Sequence, residues 1–114
     1  MRWRKTDLDF EFMRVVEEGA LLACRIDKDY YNKLRNSRRS EIVTVKQIIC
    51  RYLRKNTTYG QATIGRFLGL CHSSVCYHNM RCQELVETGK IYARLYKEAS
   101  DIISQKLAEM NDNY

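Results

Sequence analysis

Residues 58–85 read TYGQATIGRFLGLCHSSVCYHNMRCQEL, and this stretch decides the fold. Gly69-Leu70 closes one apolar-periodic run, and His72-Ser73-Ser74 opens another. The spacing predicts two short helices joined by a tight turn. Thr58-x-x-Gln61 fits a capping box, so the first helix begins near Gly60 and runs to about Leu68, with Ile64, Phe67 and Leu68 facing inward. The second is expected from Ser73 to about Thr88. Its inner face carries Val75, Cys82, Leu85 and Val86, and its outer face Ser73, Tyr77, Met80, Arg81 and Glu84. Free N–H groups and small hydroxyls at such a helix start are suited to gripping phosphate and base edges.

Just upstream lies the most basic part of the chain. From Lys33 to Lys55 there are eight basic residues (Lys33, Arg35, Arg38, Arg39, Lys46, Arg51, Arg54, Lys55) against one acid, Glu41. The segment nets +7 out of a total of +6, so everything else nets −1. Charge this concentrated suggests a polyanionic partner; the plainer interpretation is a solvated helix face.

The rest of the chain is also helical in pattern. With no proline and five glycines, uninterrupted helices form easily. A first helix is expected over Leu8 to about Arg25, with Phe12, Val15, Val16 and Leu22 near one face, although Gly19 weakens its middle by roughly 1 kcal/mol relative to alanine. Asp27 or its neighbour caps a short helix from Asp29 to about Leu34. After the polar joint Asn36–Ser40, Ser40 is the expected N-cap of a helix running from Glu41 to about Asn56. Ile42, Val45, Ile49, Tyr52 and Leu53 recur there at helical spacing, leaving Lys46, Gln47, Arg51, Arg54 and Lys55 on the opposite half-turn. A last helix is expected from Lys90 to about Met110, using Ile91, Tyr92, Leu95, Tyr96, Ile102, Ile103 and Leu107, before a fraying tail at Asn111–Tyr114.

These segments define one all-α domain over 1–114, a compact bundle of about six helices containing a helix–turn–helix. Its parts are N-terminal helices (1–34), the basic helix and helix–turn–helix core (35–89), and a C-terminal helix and tail (90–114). No apolar run approaches the roughly 18 residues that span a membrane, and the charged N-terminus does not fit a signal peptide. A cytoplasmic, nucleoid-associated protein is expected. Five cysteines at irregular spacing argue for reduced thiols in the core. Cys71, His72, Cys76, His78 and Cys82 raise the question of a metal. His78 lies about 240° round a helix from His72, and no Cys-x-x-Cys exists, so neither metal nor cofactor is expected. Without a Gly-x-Ser-x-Gly elbow, catalysis is not expected either.

Residues Arg35 to Leu85 resemble the C-terminal DNA-binding domain of the bacterial replication initiator DnaA, within the Trp-repressor-like helix–turn–helix group. Three passages carry the likeness, in order. Arg38-x-x-x-Ile42-Val43-x-x-Lys46-Gln47 is similar to the Arg…Val-Ala-x-x-Arg-Gln passage that opens the family's basic helix. Ala62-Thr63-Ile64-Gly65-Arg66-Phe67-Leu68-Gly69 resembles its Pro-Glu-Ile-Gly-x-x-Phe-Gly. His72-Ser73-Ser74-Val75 resembles the Asp-His-Thr-Thr-Val at the start of its recognition helix.

The resemblance implies a role for each matching position. Arg38 enters the minor groove, Lys46 and Gln47 approach the duplex from the basic helix, and Arg54 meets backbone phosphate. Thr63 and Ile64 lie near phosphate, while His72, Ser73 and Ser74 enter the major groove. Tyr77 and Arg81 follow one and two turns onward on the exposed face, and Tyr77 is expected to contact DNA. The departures bear on target sequence. Cys71 replaces the family's aspartate, two serines replace threonines, and the turn is one residue shorter. The ATPase module is missing, since nothing fits Gly-x-x-x-x-Gly-Lys-[Ser/Thr]. The expected function is double-stranded DNA binding in replication initiation or its regulation, with replication proteins as further partners. The alternatives are a helical protein-interaction adaptor, a transcriptional regulator on the same fold, and an RNA binder. Oligomeric state is left open.

Overall fold

Short polar joints break the chain into six helices: α1 (Lys5–Cys24), α2 (Lys28–Lys33), α3 (Ser40–Asn56), α4 (Gln61–Leu68), α5 (His72–Thr88) and α6 (Lys90–Asp112). The computed structural model describes the backbone of residues 5–112 and the side chains of 9–110. Among the described residues there is no strand, and no helix is long and apolar enough to cross a membrane. Trp3 and residues 113–114 of the expected fraying tail lie outside the described residues, while 111 and 112 continue α6.

The long first and last helices form one side of the bundle, where α1 packs along α6 more extensively than any other pair. Gly19 is the reason they come so close: a Cβ there would run into the Ile103 side chain. The helix-weakening glycine of α1 thus serves packing. Arg25, just past α1, takes φ 58°, and Ile26 N–H and Arg25 N–H return to the carbonyls of Leu21 (3.0 Å) and Leu22 (3.2 Å). That pattern satisfies the carbonyls left open at a helix end. Asp27 then caps α2, its carboxylate accepting from the N–H groups of Asp29 (3.0 Å) and Tyr30 (3.2 Å).

α3 is the centre of the molecule, touching α1, α4, α5 and α6. Ile42, Val45, Ile48, Ile49, Cys50 and Leu53 are completely buried, and Met13, Val16, Tyr31, Ile64, Leu68, Val75 and Ile103 pack around them. A helix enclosed by four others has no solvated back for most of its length. Lys46 and Gln47, expected on an exposed basic face, are therefore only 5% and 7% exposed.

Three helix starts also differ from expectation. Ser40 is the first residue of α3 rather than its cap; Arg39 holds the cap position without a side-chain bond. Gly60 precedes α4, so Thr58-x-x-Gln61 makes no capping box. α5 begins one residue early, at His72, with Cys71 before it. Two residues expected to face the core are instead open to solvent, Leu22 at 56% and Ile91 at 85% exposed.

Candidate nucleic-acid interface

The joint between α4 and α5 is tight and made by backbone. Gly69 adopts φ 72°, ψ 34°, a left-handed conformation that costs side-chain-bearing residues about 1 kcal/mol or more. The chain then doubles back so that Leu70 N–H donates to the Gly65 carbonyl at 2.8 Å. Gly65 itself sits against the carbonyl of Leu70, with no room for a Cβ. Leu70 is half-buried on the core, and Ile64 and Val75 below it are fully buried, locking α4 to α5.

This packing settles which side chains of α5 face outward. Ser73, Tyr77, Met80, Arg81 and Glu84 are all exposed, while Val75 and Cys82 are buried. His72 is exposed and Ser74 half-buried. Tyr77 stands 61% exposed with its ring edge-on to His78 at 5.8 Å, and Arg81 lies along the surface with its guanidinium 3.1 Å from Glu84.

Neither serine caps the helix. Both hydroxyls instead approach the exposed sulfur of Cys71, Ser73 Oγ at 3.2 Å and Ser74 Oγ at 3.1 Å. Those two hydroxyls, with backbone N–H groups of the first turn, draw the Cys71 thiol down to about 6. That shift favours the thiolate, an anionic acceptor in the position before the histidine. Burial has the reverse effect on Cys24 and Cys50, pushed up to about 11 and about 12.

The other expected contacts divide between surface and interior. Arg38 is exposed and, among the described residues, makes no hydrogen bond or ion pair. Arg54 is exposed at the far end of α3, donating to the Tyr59 carbonyl at 3.1 Å. Thr63 is half-buried, with Arg66 Nη2 3.4 Å from its hydroxyl. Ile64 is fully buried and forms core, so its side chain presents nothing to a partner. Gln47 accepts a hydrogen bond from the Tyr92 hydroxyl at 2.8 Å, a link to α6. Lys46 runs between helices beside His78, whose pKa is lowered by burial and then by that lysine. Lys46 and Gln47 are thus placed in the bundle rather than on its outside.

Of the eight basic residues between Lys33 and Lys55, only Arg35 meets a carboxylate within 4.0 Å among the described residues, Glu17 at 3.9 Å. Arg39 is tied to the Tyr30 hydroxyl at 3.4 Å, and Arg51 to Asn79 at 3.4 Å. Arg35 also donates to the Phe67 carbonyl at 2.6 Å, which pins the arm before α3 to the last turn of α4. Arg38 is three residues beyond that anchor on one strand of chain, and the α4–α5 joint begins two residues beyond it on the other. Sequence reasoning missed Arg66, exposed one turn after Thr63 on α4, while Met80, expected on the outer face of α5, stands 54% exposed beside Tyr77. Helical spacing from Thr63 is the signal that finds Arg66.

Among the described residues, no three histidines, cysteines or acids stand together as a metal site. Compared with known proteins, the chain matches no family model and no curated sequence.

Proposed function

We propose that the protein binds double-stranded DNA without catalysing a reaction, using α4 and α5 as a helix–turn–helix of the kind found in the C-terminal domain of DnaA. The observation that carries this reading is the exposed row Ser73, Tyr77 and Arg81 on α5, beside an arm and helix whose cations are almost free of carboxylate partners. In this reading the first turn of α5 enters the major groove with His72, Ser73 and Ser74, while Arg38 and Arg54 hold phosphate or minor groove at the two ends of α3. The Cys71 thiolate supplies an acceptor for a cytosine amino group, the chemistry an aspartate provides in the family. Replication initiation or its control is the setting that the resemblance suggests, with the nucleoid as the location.

A protein-interaction adaptor is the second reading, favoured by the adjoining exposure of Tyr77 and Met80. A mobility-shift comparison at moderate salt separates the two. Retardation of duplex at lower protein concentration than single-stranded DNA or RNA of the same sequence is expected. No retardation of any nucleic acid favours the adaptor, and preference for RNA overturns both.

A further inference from the structure

We propose that His72, Cys76 and Met80, successive residues of one stripe along α5, form a binding site for Cu(I). The Cys76 thiol donates to the Met80 sulfur, with 4.0 Å between the two atoms. With metal–sulfur bonds of about 2.3 Å, sulfurs at that separation subtend about 120° at an ion they share. That is the angle of a trigonal site, which takes one further ligand. His72 lies four residues before Cys76 on the same helix, a spacing at which Cβ atoms are about 5–6 Å apart. Its imidazole completes the set.

The donors select the ion. A thiolate suits zinc as well as Cu(I), but a thioether is soft and favours Cu(I). Structural zinc takes four ligands, and the acids of α5 are engaged elsewhere: Glu84 lies 3.1 Å from the Arg81 guanidinium, and Glu87 accepts from Gln83 at 3.2 Å. Cu(I) is content with a lower coordination number, so the missing fourth ligand is no obstacle. His72 and Met80 are exposed and Cys76 is half-buried, which lets an ion reach both sulfurs without opening the core. On binding, Cu(I) displaces the Cys76 thiol proton to solvent. No electron moves, and the charges of ion and thiolate cancel. Cys71 is the competing thiol, but its sulfur lies with the Ser73 and Ser74 hydroxyls, at 3.2 and 3.1 Å.

Titration of the reduced full chain with Cu(I) under argon, against bathocuproine disulfonate as competitor, tests the assignment. One tightly held ion per chain is expected, with sulfur and nitrogen neighbours in its X-ray absorption spectrum. Cys76→Ser should weaken binding at least about 100-fold, and His72→Ala and Met80→Leu at least about tenfold each. Met80 is 54% exposed, so Met80→Leu removes the sulfur without disturbing the fold. Cys71→Ser should change the affinity less than about threefold, since Cys71 is not a ligand. A tight site that disappears with Cys71→Ser, or that survives Cys76→Ser or Met80→Leu unweakened, overturns the proposal; so does the absence of competition with the chelator. No nucleic acid enters this titration, so copper binding and duplex binding fail separately.

Discussion

Cys71, Gly65 and Gly69 give the α4–α5 joint its properties. Cys71 is the exposed thiol whose charge the surrounding hydroxyls and amides favour, whereas burial opposes ionisation of Cys24, Cys50 and Cys82. For a thiol with a lowered pKa the reactive thiolate accumulates as pH rises through the folded value. Alkylation of Cys71 followed by peptide mass analysis should therefore show a half-maximal rate near pH 6, with Cys50 at least about 100-fold slower at neutral pH. A midpoint near the ordinary cysteine value would remove the thiolate from the interface. Gly65 has a different constraint, since a methyl group meets the Leu70 carbonyl, which the joint holds in place. Gly65→Ala is expected to cost about 1–3 kcal/mol, read as a lower urea midpoint with unchanged slope. The left-handed position at Gly69 is legible in the sequence as a glycine ending an apolar run. The Cys71–serine contacts are not, because cysteine has no capping preference that marks it.

At the scale of elements, α3 shows where helical spacing reads correctly and where it stops. Ile42, Val45, Ile49, Tyr52 and Leu53 are buried as their period requires. The period cannot tell how many neighbours a helix has, and with four of them Lys46 and Gln47 are enclosed as well. Hydrogen bonding from Tyr92 offsets the cost for Gln47, whereas for Lys46 desolvation, and then the Arg35 charge, lower its pKa. Tyr92→Phe should leave the Gln47 carbonyl without its donor and cost about 1–3 kcal/mol in chemical denaturation. An unchanged midpoint would mean that water replaces the tyrosine. Helix starts are less legible than helix interiors: Arg39, Gly60 and Cys71 cap through backbone geometry alone, which leaves no side-chain signature. On the outer side of α5, by contrast, all five expected residues are exposed. If that side reads bases while the ends of α3 hold backbone, Arg38→Ala and Arg54→Ala should each weaken every duplex and reduce the salt slope by about 1. Ser73→Ala should instead change the ranking of sequences selected from a random duplex pool.

The whole molecule places its positive charge along a line rather than in a spot. α3 spans about 25 Å, so Arg38 before its start and Arg54 in its last turn are separated by roughly the rise of seven base pairs. Cations at such a spacing can grip one duplex on both sides of the groove that α5 would enter. Lys46 lies inside the bundle, Arg35 is engaged with Phe67 and Glu17, and Arg51 is half-buried against Asn79, which leaves Lys33, Arg38, Arg39, Arg54 and Lys55 as the exposed cations of the basic segment. About five phosphates neutralised is the number this arrangement supports. The all-helical bundle follows from the apolar periodicity of the chain, whereas a duplex partner is an inference from exposed residues and charge. Equilibrium titration of a labelled duplex between about 50 and 200 mM salt addresses it directly. The account predicts that log K falls linearly against log[salt] with a slope near −4 to −5; an affinity that stays flat over this range would contradict it.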